Sequence, residues 1–114
     1  MNKLILILIS SLNISLFGAN IYVVDYQSQA DFKAYLVDYP SQADLKVYIV
    51  DYQSQARGDD ENWYFVDYQS QADSKIYWVK YASQADLKIY IVNYKSQAGW
   101  NKSHKLIGRI RWKW

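Results

Sequence analysis

Cysteine is absent from this chain, and proline, histidine and methionine each occur once in 114 residues. Without thiols there is no disulfide framework, no thiolate metal site and no cysteine nucleophile. The single histidine, His104, stands in a polar stretch and is expected to be simply solvated. Four glycines are too few and too scattered for a phosphate-cradling loop. No window shows helical periodicity. The acids recur at regular intervals and do not gather as a catalytic pair or a ligand set. These absences exclude the familiar enzyme classes, so the chain reads as non-catalytic, with no cofactor, no metal and no catalytic residue.

What is present is repetition. Aligned on a tyrosine, copies of one unit begin near Ile21, Ala34, Val47, Trp63, Ile76 and Ile89, with steps of 13, 13, 16, 13 and 13 residues. All twelve tyrosines fall at two positions of the unit: Tyr22, Tyr35, Tyr48, Tyr64, Tyr77 and Tyr90, then four residues on Tyr26, Tyr39, Tyr52, Tyr68, Tyr81 and Tyr94. A Ser-Gln-Ala triplet follows in every copy, beginning at Ser28, Ser41, Ser54, Ser70, Ser83 and Ser96.

Roughly nine residues of each unit alternate like a strand rich in Tyr, Val, Ile and Trp, and about four remain for reversal. One face carries Tyr22, Val24, Tyr26, Ser28 and Ala30 and is the same in all copies. The other varies: Ile21, Val23 and Asp25 in the first copy become Ile76, Trp78 and Lys80 in the fifth. Because a strand sends alternate side chains to opposite faces, the unvarying tyrosine face is expected to pack inward against its own copies. In the turn, serine and the aspartate three residues later are expected to cap neighbouring amides locally. The glutamines Gln29, Gln42, Gln55, Gln71, Gln84 and Gln97 are expected to bond to backbone or to one another.

The ends and the middle depart from the repeat. Residues 1–19 begin Met1-Asn2-Lys3, continue through an aliphatic run from Leu4 to Ile9 and close on Phe17-Gly18-Ala19. That is the order of a secretory signal peptide cut after Ala19, and the run is too polar and too short for the roughly 20 apolar residues of a membrane span. An exported protein, periplasmic or extracellular, is expected, with a single domain over 20–114. Its six units occupy 21–102.

The third unit carries an insertion, Arg57-Gly58-Asp59-Asp60-Glu61-Asn62, which divides the array into three units and three units. Three adjacent carboxylates could suit a hard cation, but an exposed acidic loop is the simpler reading. The tripeptide Arg57-Gly58-Asp59 matches a short adhesion motif, and three residues carry little weight.

From Asn20 to Trp100 eleven acids face six lysines and Arg57, a net of −4, whereas Lys102, Lys105, Arg109, Arg111 and Lys113 give the tail +5 without an acid. The tail is expected either to lie on the acidic body or to meet an anionic surface. Residues 105–114 alternate, with Leu106, Gly108, Ile110, Trp112 and Trp114 on one side, and read as a terminal basic strand.

The phrase Tyr-x-Val-x-Tyr-x-Ser-Gln-Ala-Asp at thirteen-residue spacing, closed by Gly99-Trp100 and an Asn-Lys end, resembles the septoil-knot domain family over about residues 21–104. The resemblance implies a compact, deeply knotted all-β domain of short strands, and it brings no catalytic residues. Periodicity by itself would suggest a solenoid or a small closed barrel.

Two classes of function fit. The first is an exported structural or interaction module whose variable face presents Phe32, Trp63, Phe65 and Trp78, with Arg109 and Arg111 from the tail, to an unknown protein or envelope component, or to another copy of itself. The second is a small-ligand or glycan binder built on exposed aromatic rings. Nucleic acid is not expected as a partner. Burial of Trp63 and Trp78 would remove the aromatic platform of the second reading.

Overall fold

Each thirteen-residue unit makes one short strand, an extended stretch and a single 3₁₀ turn, and six such strands close into a barrel. The computed structural model describes residues 18–112 and 114. The expected leader lies outside the described residues except for Gly18 and Ala19. The strands are β1 (Ala19–Val23), β2 (Phe32–Leu36), β3 (Leu45–Ile49), β4 (Asn62–Phe65), β5 (Ser74–Trp78), β6 (Leu87–Val92) and the two-residue β7 (Gly99–Trp100). Ala19 is paired with Trp63, and the Gly18 Cα abuts the Ala56 carbonyl so closely that any Cβ would collide with it. The boundary expected after Ala19 therefore falls inside β1.

The barrel strands are all parallel. Their order is β4-β1-β5-β2-β6-β3, and a β3–β4 pairing closes the ring. β1, β2 and β3 take alternate places; after the insertion β4 steps to the adjacent place, and β5 and β6 fill the gaps. The chain thus circles twice, and the longer middle unit is where the first lap passes into the second.

Consecutive parallel strands usually require a crossover of a dozen or more residues. Here eight suffice, for example residues 24–31. Returning past a five-residue strand while moving two places sideways needs about 19 Å, from about 3.3 Å per residue and about 4.8 Å between strands. Eight residues including one 3₁₀ turn reach about 26 Å, leaving no room for a longer helix.

The inward face is the variable one, which corrects the expectation that the tyrosines pack inward. Ile21, Ala34, Val47, Trp63, Ile76 and Ile89 are all fully buried at one level of the barrel. The strand tyrosines are half-buried on the outside, and the second set, Tyr26 to Tyr94, is 64–69% exposed. The physical reason is the filling of a narrow ring. Six converging side chains must sum to one volume, so a small barrel mixes large with small. Trp63 on β4 and Ala34 on β2 stand three places apart around the six, and the small residue gives up the space the indole takes.

Outside, each strand tyrosine lies beside a lysine or asparagine of the next strand. The register pairs Tyr22 with Lys75, Lys33 with Tyr77, Tyr35 with Lys88, Lys46 with Tyr90, Asn20 with Tyr64 and Tyr48 with Asn62.

The aspartate after each Ser-Gln-Ala works across laps and not as a local cap. Asp31 Oδ2 accepts the Lys75 N–H at 2.7 Å, Asp44 that of Lys88 at 2.8 Å, Asp86 that of Lys33 at 2.8 Å and Asp73 that of Asn20 at 3.1 Å. Each of these aspartates also donates its own N–H to the same residue's carbonyl. Where Arg57 replaces the aspartate, Asp59 of the insertion takes over and accepts the Asn62 amide at 3.0 Å. Where Gly99 replaces it, the chain turns through φ 144°, a region side chains rarely adopt, and β7 pairs antiparallel with β3 at Lys46 and Leu45. Six strand starts are thereby fastened by five aspartates and one short strand. Among the glutamines, Gln55 accepts the Asp51 and Tyr52 amides, and the other five are exposed.

Candidate interaction surface

The tail closes the barrel mouth where the strands begin, and it does so as turns, not as the strand expected over 105–114. Bonds from Ile107 to His104, Arg109 to Leu106 and Trp112 to Arg109 curl the segment. Leu106 and Ile110, four apart as in a helical turn, are buried in the core.

Asp60 anchors this plug and is 3% exposed, so the insertion is not an exposed acidic loop. Its carboxylate accepts the Arg111 N–H at 3.1 Å, the Gly108 N–H, and the Trp100 indole N–H at 3.2 Å. Ser74 hydroxyl donates to the Ile110 carbonyl at 2.7 Å and accepts the Trp114 indole at 2.8 Å. Both residues break the repeat: serine stands where the other unlengthened copies have Phe32, Leu45, Leu87 and Trp100, and that polar exception was a readable signal.

His104 is not simply solvated. Its Nδ1 accepts the Leu106 amide at 3.1 Å, which leaves the Nε2 proton for the Asp86 carbonyl at 3.0 Å, and its ring stacks on Trp100 at 5.5 Å. A Lys102–Asp44 ion pair at 3.3 Å adds to the attachment. Burial, then the neighbouring Asp59 carboxylate with a smaller push from Asp60, holds the Glu61 carboxyl above its ordinary 4.5.

The six residues expected on a partner-binding face are dispersed by this arrangement. Phe32 and Trp63 belong to the core, and Phe65 and Trp78 pack against it half-buried. They point inward for the same reason the tyrosines point outward, so they do not form one exposed aromatic platform. Arg109 stacks over Trp114 at 4.0 Å, and Arg111 donates to the Gly58 carbonyl at 2.6 Å. Both arginines hold the tail in place. Among the described residues, no group of three or more His, Asp or Glu is placed to hold a metal ion, and no helix is long and apolar enough to cross a membrane.

At the opposite mouth Val23, Leu36 and Ile91 are 38–46% exposed. Beyond them Asp25, Asp38, Asp51, Asp67, Lys80 and Asn93 are all exposed.

The outer wall carries grooves between neighbouring crossovers. One of about 480 Å³ includes Tyr35, Val37, Asp38, Gln42, Ala82 and Lys88 in its lining. Another of about 320 Å³ is lined by the equivalent residues of another unit, Tyr90, Val92, Asn93, Gln97, Pro40 and Lys46. A third, about 370 Å³, lies beside the insertion and is lined by Asn20, Gln53, Ser54, Ala56 and Arg57. The hydroxyls of Tyr35 and Tyr90 bond to no other described residue.

The class defined by these observations is an all-parallel six-strand β-barrel of tandem units, wound twice and plugged by its own tail. The chain belongs to the 7(1) septoil knot domain family, whose profile matches residues 18–101. No curated protein and no solved structure matches it.

Proposed function

We propose that this chain is an exported, knotted, non-catalytic interaction module that works through the outside of its barrel. One observation carries the reading: every crossover keeps three exposed residues unchanged in all six copies, while the buried positions inside the barrel vary. Core positions range from Ala34 to Trp63, while the exposed tyrosine, serine and second glutamine of every crossover are unchanged. Surface substitutions usually alter stability by under about 0.5 kcal/mol, so folding alone places little demand on those residues. An external partner, meeting the same group six times, does place one.

The leader's residue order supports export. Two interleaved laps, with crossovers passing over strands of the other lap, support a chain threaded through itself. The partner is an envelope component or protein.

The test compares the mature protein with a variant carrying Ala at Tyr26, Tyr39, Tyr52, Tyr68, Tyr81 and Tyr94 for sedimentation with envelope fractions of its own cells. The variant should keep its fold by circular dichroism and lose retention at least tenfold. Equal retention, or none by either protein, would overturn the reading.

A further inference from the structure

The three outer grooves share a chemistry that identifies a ligand class, an inference that rests on the outer wall being the working surface. Each combines at least one cation, one carboxamide and one hydroxyl: Lys88, Gln42 and Tyr35 in the first; Lys46, Gln97 and Tyr90 in the second; Arg57, Gln53 and Ser54 in the third. Lys102 also lines the first groove, with its charge already paired to Asp44, and Asp38 adds one carboxylate there. The third also holds an unpaid polar group. Asn20 is 7% exposed and donates through Nδ2 to Asp73, yet its Oδ1 has no partner. A buried acceptor without a donor costs about 1–3 kcal/mol.

The register repeats the tyrosine–lysine pairing elsewhere, at Tyr22 beside Lys75 and Tyr77 beside Lys33. The same tyrosine–lysine pairing therefore recurs at four successive strand interfaces, and the two grooves built on it lie one strand apart. A ligand matched to them is itself a repeating chain. Its units must offer hydroxyls to carboxamides and tyrosine, and a carboxylate to the cation. Groove volumes of about 320 to 480 Å³ suit a small unit at each place.

We propose that the outer grooves bind a carboxylated polysaccharide, taking successive acidic sugar units at successive cups. Several weak contacts on one polymer then combine by avidity, so affinity should climb steeply with chain length.

The experiment titrates the mature protein with oligogalacturonates of increasing length, with neutral dextran and dextran sulfate as comparison polymers. Binding should strengthen at least tenfold between a dimer and an octamer, be absent for dextran, and exceed that for dextran sulfate at equal salt. The triple variant Lys46→Gln, Arg57→Gln, Lys88→Gln should lose it with its melting temperature unchanged. If that variant is unstable, Tyr35→Phe with Tyr90→Phe serves instead and should weaken binding at least threefold. Equal or tighter binding to dextran sulfate would reduce the cups to general charge attraction and overturn the proposal, as would no binding to any polymer.

A companion measurement separates this proposal from the broader one. Retention on envelope fractions that survives periodate oxidation of the glycans, yet still needs the exposed tyrosines, would leave the interaction module standing and remove the polysaccharide.

Discussion

Replacing Asp60 by asparagine should release the tail from the barrel mouth. The aspartate is buried, and its two oxygens divide three donors: Oδ1 takes the Arg111 amide, and Oδ2 takes the Gly108 amide and the Trp100 indole. A carboxamide keeps only one of those oxygens and turns an N–H₂ toward donors on the other side. Each hydrogen bond to a charged group contributes about 1.5–3 kcal/mol. Losing at least one and leaving a buried amide unpaired should cost about 2–4 kcal/mol.

Urea denaturation followed by tryptophan fluorescence gives the loss directly. The same substitution in a protein ending at Lys102 separates the tail's share, because that protein has no Gly108 or Arg111 to hold. There the cost should shrink by at least about 1.5 kcal/mol, the coupling of residues in direct contact. A full-length Asp60→Asn protein within about 0.5 kcal/mol of wild type, beyond which surface changes rarely go, would refute the anchor. So would an equal loss in both backgrounds.

Further outcomes follow from the same contacts. Tyr52→Ala should change stability by less than about 0.5 kcal/mol because the ring is outside, whereas Trp63→Ala should cost about 3–5 kcal/mol for the cavity it leaves; thermal denaturation of the pair ranks them. Asp86→Ala should cost about 1–3 kcal/mol and speed hydrogen exchange at the Lys33 amide, which it otherwise accepts. Glu61→Gln should stabilise the protein at pH 7 and make no difference below about pH 4. A carboxyl whose folded pKa is raised costs stability when ionised, and that cost disappears as pH falls below its ordinary 4.5. Chemical denaturation at both pH values checks the sign.

Much of the architecture was legible. Six strand-turn units, all β, in one domain follow from the tyrosine phrase, and the insertion at Arg57–Asn62 marked a division that the fold uses as its change of lap. The direction of the faces was not legible. Alternation separates two faces without saying which is inside, and constancy of Tyr26 and its copies looked like packing although the packed residues are those that must differ to fill a ring. The partners of Asp31, Asp44, Asp73 and Asp86 were hidden for another reason: they lie 44 or 53 residues away, on strands of the other lap. In the tail, clean alternation from Lys105 to Trp114 concealed the i, i+4 pair Leu106 and Ile110, which is what the core receives.

The candidate surface was missed because the larger aromatics, Phe32, Trp63, Phe65 and Trp78, were expected on an exposed face and instead lie in or against the core. The outer cups use tyrosine and glutamine from one unit with lysine from another, and only the interleaved register brings the lysine to them.

Nitration of the native protein by tetranitromethane, mapped peptide by peptide, tests the orientation of the units most directly. Tyr26, Tyr39, Tyr52, Tyr68, Tyr81 and Tyr94 should react at rates near free tyrosine while the six strand tyrosines lag behind. Two sets reacting alike, or none reacting until the protein unfolds, would contradict a barrel with its constant face turned to solvent.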